Sequence, residues 1–155
     1  VTRERIFSSF FYKKMLVVRP TLIYGENDPH NGYGPNSFIR LAKKNFNIKL
    51  FGKGEERRDH ININTVVILI LDLIKKDKFG VFNLCSGSVI SFNNLAKKII
   101  KIIGSKSKII YIKRVGPMHH LGLRQFDIKK LKKIKFKHEI SKIENVINKK
   151  FIDKY

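Results

Sequence analysis

Acidic residues are scarce in this chain. Twelve Asp and Glu stand against 33 Lys and Arg, a formal charge of +21 over 155 residues. Cysteine is nearly absent too. A single Cys85 excludes an internal disulfide and points to a reducing, cytoplasmic setting. It lies within the apolar run VFNLC, so an inert, buried thiol is expected. No apolar run approaches the ~18 residues of a membrane span, and no signal-peptide pattern occurs, so no membrane partner is expected. None of the ten glycines forms GxGxxG or GxxGxxG, and there is no P-loop. The turn that cradles a dinucleotide pyrophosphate is therefore not in this sequence. Metal ligation is not expected either. The adjacent His119 and His120 would point opposite ways on an extended chain, with no Cys or acidic ligand nearby. The first residue is Val1 rather than Met, which leads us to expect a preceding portion.

The positive charge has two readings. One is a nucleic-acid binder using phosphate contacts. The other is a Lys-, Ile- and Asn-rich composition whose basic residues sit as pairs (Lys43-Lys44, Lys75-Lys76, Lys97-Lys98, Lys129-Lys130, Lys149-Lys150) on the polar sides of helices. Basic and aromatic residues do not interleave on a strand face. The second reading is favoured and no nucleic-acid partner is expected, although a positive field still attracts a small anionic substrate. With 43% hydrophobic residues the chain can bury a real core, and its length suits one domain or part of a larger one.

Short apolar runs alternate with longer helical patterns. Strands are expected at 15–18, 48–51, 61–63, 81–85 and 109–112. Helices are expected at 3–12, at 36–44 after Pro35, at 65–76 with Thr65 as cap, at 91–103 between Ser91 and Gly104, and at 141–152 with Ser141 as cap. The run TVVILILDLIKK is almost wholly apolar and should be buried on most sides. Leu95, Ile99, Ile102 and Ile103 share one helix face; Ile143, Val146, Ile147 and Phe151 share another. Residues 114–124 show no periodicity and read as a mobile loop. The alternation predicts an α/β arrangement with parallel pairing. The irregular segment RPTLIYGENDPHNGYGPNSF is longer than a turn needs, and His30 within it reads as a turn residue.

Four motifs occur in order: VVRPTLIYG (17–25), LFGKGEERRDHININTVV (50–67), GVFNLCSGSVISFNNLA (80–96) and FDIKKL (126–131). Together they resemble the C-terminal half of the extended short-chain dehydrogenases, the NAD(P)-dependent nucleotide-sugar epimerases and dehydratases. The resemblance implies the last parallel strands of a Rossmann fold plus a small α/β substrate-binding lobe. On that reading 1–35 is the end of the Rossmann half and a crossing segment. Residues 36–155 are mainly the substrate lobe, with 61–85 returning to the Rossmann sheet. The family's catalytic YxxxK helix is absent. If Glu4 is the Glu that follows it, the chain starts just past the catalytic pair. The fragment alone would then be inactive, and the full-length parent a homodimer.

The resemblance also implies residue roles. NAD or NADP would be held mainly by the missing N-terminal half, with Pro20, Thr21 and Tyr24 on the cofactor side of this chain. Leu22 stands where many members carry a substrate-touching Asn, and it and Asn36, near the start of the next helix, would be substrate-binding. Leu50 and Phe51 would flank the nucleotide base, with Gly52 and Gly54 bringing the backbone close to the ligand. Arg58 would grip the diphosphate through its planar fork; the alternative is pairing with Asp59, Glu55 or Glu56. Either Arg114 or Arg124 would supply a further diphosphate contact. Asp59 is expected to be structural, His60 to sit at the edge of the core, and Asn83 to pin backbone. The partner implied is a nucleotide sugar, and the reaction an epimerisation or dehydration, or alternatively a reduction. A split gene product without independent function is the remaining reading.

Overall fold

The computed structural model describes residues 2–11, 14–26, 28–29, 32–134, 136 and 139–155; His30 and part of the long 26–35 segment lie outside them. In chain order the elements are α1 (Thr2–Phe11), β1 (Leu16–Pro20), β2 (Leu22–Tyr24), α2 (Pro35–Lys43), β3 (Ile48–Phe51), β4 (Arg57–Asn62) and α3 (Ile63–Lys75). Then come β5 (Gly80–Leu84), β6 (Val89–Ser91), α4 (Phe92–Ile103), β7 (Ile109–Ile112), a 3-10 turn (His119–Gly122) and β8 (Leu123–Arg124). Three one-turn helices close the chain: α5 (Lys129–Lys132), α6 (Ile143–Val146) and α7 (Lys149–Ile152). The α/β class with parallel pairing is thus present. β1 pairs with β5, β2 with β4, and β3 with β7, all parallel.

β4 is the hub. Its first half lies between antiparallel β6 (Arg58 opposite Ile90) and parallel β8 (Arg58 opposite Arg124), while its second half pairs with β2 (His60 opposite Leu22). The strand expected at 61–63 is therefore the end of a longer one that stops at Asn62. Asn62 stays extended, and its side chain accepts from the Asn64 N–H at 2.9 Å. Asn62, not Thr65, caps α3, because the helix starts at Ile63 and the Asn62 amide oxygen reaches the free N–H two residues on.

Two apolar clusters support this frame. One joins α2, β3, α4 and the C-terminal helices through Phe38, Ile39, Leu50, Leu95, Ile99, Ile143 and Ile147. Ile102, Ile103 and Val146 pack on its flank, so both expected helix faces are used. The other joins β4, α3, β5 and α5 through Ile61, Leu69, Leu73, Leu84 and Leu131. Here the expectation for α3 needs correction. Only Val66, Leu69 and Leu73 are buried, while Val67, Leu71 and Ile74 are about half exposed. A helix apolar all round buries one face for each layer packed on it, and α3 has one such layer.

The expected helix 141–152 is two turns separated by an extended Ile147–Asn148. The Asn148 side chain accepts from the Phe151 N–H at 3.0 Å; it starts a new helix by competing with the old one for backbone. The tract 114–124 is likewise not featureless, since it contains the 3-10 turn and β8. α4 agrees with its signals: Ser91 Oγ accepts from the Asn94 N–H at 3.1 Å, and Gly104 at φ 68° closes the helix. Among the described residues no helix is long and apolar enough to cross a membrane.

Candidate functional site

A cavity of about 330 Å³ opens beside the start of β4, with Tyr33, Phe51, Phe92, Glu56, Arg114 and His119 in its wall. Its apolar side is aromatic. The Tyr33 ring lies 5.4 Å from Phe51 and 4.5 Å from Phe92, the latter edge-on. Burial among these rings pushes the Tyr33 phenol up to about 12, so it stays a neutral hydrogen-bonding group. Alternation along β3 decides which of the two expected base-flanking residues can serve. Phe51 faces out, whereas Leu50 is fully buried in the core and is not available as a flank.

The polar side is built on Glu56. One carboxylate oxygen accepts from Arg58 Nη2 at 2.5 Å, and the other accepts from Arg114 Nη1. Arg58 is buried, and it also donates to the Arg57 carbonyl (3.0 Å) and the His119 carbonyl (3.3 Å). Arg114, more open, also donates to the Phe51 carbonyl at 3.2 Å and lies 3.7 Å from Glu55. Two guanidinium groups from segments 56 residues apart thus converge on one anion-sized position. Of the two Arg in the 114–124 tract, Arg114 is the one in the cavity wall. Arg124 rests its guanidinium 5.3 Å above the Phe126 ring instead.

The glycine turn has a local reason. Gly54, at φ 66°, packs so closely that a Cβ would meet Leu50 Cδ1 at 2.7 Å and the Asn93 backbone N at 3.1 Å. The close approach at Gly54 is therefore to the head of α4.

Leu22 and Asn36 sit together at a second, smaller cavity of about 210 Å³, with His60 and Asp28 also in its wall. The Asn36 amide is engaged, donating to Asp28 and accepting from the Tyr155 hydroxyl. His60 is buried within it. Its ring nitrogens have no hydrogen-bond partner among the described residues, and burial lowers its pKa to about 4. The Arg58 backbone favours the protonated form without meeting hydrogen-bond geometry, and the Arg58 charge opposes it.

A third cavity of about 300 Å³ follows β2 at Ile23–Glu26. Of the three residues expected near a cofactor, Thr21 is buried, its Oγ1 donating to the Asp59 carbonyl at 2.9 Å and its N–H to the Leu84 carbonyl at 3.0 Å. The Tyr24 side chain is buried in the larger core cluster. Only Pro20 is exposed. Among these three, Pro20 can pack on a dinucleotide, while the Thr21 hydroxyl and N–H are already engaged by Asp59 and Leu84.

Around the cavities the frame is clamped. Asp59, fully buried, accepts from the Ser86 N–H and hydroxyl, both at 2.9 Å, and from the Gly87 N–H at 2.8 Å. Asn83 donates to the Asp127 carbonyl at 3.2 Å. Lys130 donates to the Val81 carbonyl at 2.7 Å while lying 4.1 Å over the Phe82 ring. The FDIKKL motif is thus a strap across β5. Cys85 is buried, and its thiol is pushed up to about 11 by burial and the nearby Asp59 charge. No group of three or more His, Cys, Asp or Glu among the described residues could hold a metal ion.

Residues 9–85 match the model of the NAD dependent epimerase/dehydratase family. The chain belongs to that family. A curated relative, the dTDP-4-dehydro-6-deoxy-D-allose reductase of Streptomyces bikiniensis, is 25% identical over 124 residues, covering 76% of this chain and 36% of the relative. Two solved structures share the fold. UDP-glucose 4-epimerase of Thermotoga maritima with UDP-glucose matches 99% of this chain and 49% of its own, at TM-score 0.78 and 23% identity. UDP-glucuronic acid 4-epimerase of Bacillus cereus, with UDP-glucuronic acid and NAD, matches 96% of this chain and 48% of its own, at TM-score 0.77 and 17% identity. The chain therefore spans about half the length of these structures, and its fold is the Rossmann-like α/β fold they share.

The sequence motifs mark Arg58, Arg114 and Phe51: Arg114 and Phe51 line one cavity, and Arg58 is buried and bonded to Glu56, which lines it too. Tyr33 and Phe92 carry no sequence signal of a role, whereas Glu56 is one of the pairing alternatives for Arg58, and the structure shows that pair. Glu56 had a readable signal: in an extended segment, residues two apart share a face, so Glu56 and Arg58 had to meet. Tyr33 and Phe92 come from separate segments, and no local pattern joins them.

Proposed function

We propose that this chain forms the substrate-gripping part of an NAD(P)-dependent nucleotide-sugar epimerase or dehydratase, and that Arg58 and Arg114 hold the substrate's diphosphate. The convergence of these two guanidinium groups on Glu56, in the wall of the aromatic cavity, carries this reading. Planar forks suit an anion with several oxygens, and the Phe51 and Tyr33 rings offer apolar surface for a nucleobase. The UDP-sugars bound by the Thermotoga and Bacillus epimerases support the substrate class. The Streptomyces relative, a reductase acting on a nucleotide-linked sugar, favours reduction as the second reading.

NAD or NADP, when bound, supplies the hydride chemistry at the sugar. Neither GxxGxxG nor YxxxK occurs in this chain, so its own residues bind, orient and shield. Cofactor grip and proton transfer belong to a preceding Rossmann portion of the same enzyme, a cytoplasmic homodimer on this reading. Near the cofactor, this chain contributes packing at Pro20.

The test is the affinity for UDP-glucose of Arg58→Ala and Arg114→Ala, measured by calorimetry or as KM in an enzyme containing this segment. Each removes a charge-assisted contact worth about 1.5–3 kcal/mol, so binding should weaken about 10- to 100-fold. Unchanged affinity in both variants would sink the assignment.

A further inference from the structure

The two guanidinium groups proposed to hold the diphosphate already share a counter-ion supplied by the chain. Glu56 gives one carboxylate oxygen to each Arg and is buried between them. A phosphate would present its oxygens to the same donors. Arg58 also donates from Nη1 to the Arg57 carbonyl and from Nη2 to the His119 carbonyl, and Arg114 Nη2 donates to the Phe51 carbonyl. No other side-chain anion among the described residues lies within 4 Å of both groups; Glu55 reaches Arg114 alone, at 3.7 Å.

We infer that Glu56 is an internal competitor for the diphosphate and a specificity-determining residue of the site. With Glu56 ionised, the cluster of Arg58, Arg114 and Glu56 carries one net positive charge instead of two. A ligand phosphate must displace the carboxylate or share the guanidinium groups with it. Anions that make no contact with the aromatic wall gain too little from either to enter. A ligand that also fills the aromatic wall gains enough, so occupancy demands base and diphosphate together. This rests on the diphosphate reading given above.

The test uses this chain, its Glu56→Gln variant and three probes: UDP, UMP and inorganic pyrophosphate. Gln keeps the shape and removes the charge, so pyrophosphate and UDP should each bind at least tenfold tighter. The preference for UDP over pyrophosphate should shrink, because bare anions are now admitted. A purely structural role would leave the affinities equal or lower and would overturn the inference. Should Glu56→Gln fail to fold, Glu56→Asp, one methylene too short to span both groups, should still tighten pyrophosphate binding severalfold. An Asp variant that folds without any gain would be an equal refutation. Arg114→Gln separates the two ideas. If UDP binding to the parent chain needs Arg114 and Glu56→Gln brings no gain, only the competitor role fails. If neither parent nor Glu56→Gln binds UDP or pyrophosphate, both fall.

Discussion

Replacing Asp59 by Asn tests whether the frame around the site is held by one buried carboxylate. Asp59 is wholly enclosed and receives three donors from the loop between β5 and β6, at 2.8–2.9 Å. An amide has one acceptor oxygen. Whichever way it turns, its NH₂ faces at least one backbone N–H of Ser86 or Gly87. An orphaned buried donor costs about 1–3 kcal/mol, and the retained bonds lose their charge-assisted strength. Relief from burying a charge offsets part of this. Burial raises the Asp59 pKa despite its hydrogen bonds, so ionisation inside the fold is itself unfavourable. The net expectation is a loss of about 2–3 kcal/mol, or roughly 5–10 °C in Tm for a domain of this size. Urea denaturation at pH 7, followed by circular dichroism, measures it. The raised pKa also sets a sign. The folded state holds the Asp59 proton better than the unfolded one, so this group's contribution is full below the unfolded value near 3.9 and is lost as pH rises through the folded value. The gap between wild type and Asp59→Asn should therefore widen on acidification toward pH 4. A variant within 0.5 kcal/mol of wild type at pH 7, or a gap that narrows in acid, would refute the clamp.

His60 has the opposite dependence. Its pKa is lowered from 6.5 to about 4, so its contribution is full above pH 6.5 and about 3 kcal/mol is lost as pH falls to 4; His60→Phe should flatten that limb of a stability–pH curve. Ser91→Ala removes the α4 cap at 3.1 Å and should cost about 1 kcal/mol by chemical denaturation, with ligand affinity unchanged. Cys85 should react with Ellman's reagent only as fast as the chain unfolds, because its thiol is buried; full modification within the dead time of mixing would contradict its enclosure.

Local chemistry made much of this fold legible. β3 and β7 were placed by apolar runs of strand length, and α4 by a Ser before and a Gly after an amphipathic face. The misreadings share a cause: two chemically equivalent signals lay close together. Asn62 and Thr65 can both cap a helix, and spacing to the first free N–H chose Asn62. Ser141 and Asn148 can both start one, and Asn148 did so mid-pattern. β2, β6 and β8 are two or three residues long. They exist because β4 supplies partners on both sides, which no local window contains. At the site, Arg58 and Arg114 were legible as guanidinium groups in family motifs. The carboxylate joining them was legible only as one pairing alternative for Arg58.

One consequence concerns how this chain behaves in concentrated solution. Among the described residues β1 pairs with β5 alone, a two-stranded parallel ribbon of a kind normally found deep inside larger sheets. With the FDIKKL strap across β5, it is β1 whose other side has no strand partner among the described residues and can template another strand. Apolar Phe79 and Val81 lie exposed at the ribbon's end, and Phe7, Phe10 and Phe11 are exposed on α1. What opposes self-association is the charge of +21, a long-range repulsion reaching about 30 Å in 0.01 M salt and about 3 Å in 1 M. For this chain on its own, dilute buffer is expected to keep copies apart, and added salt to let the open β1 edges find one another.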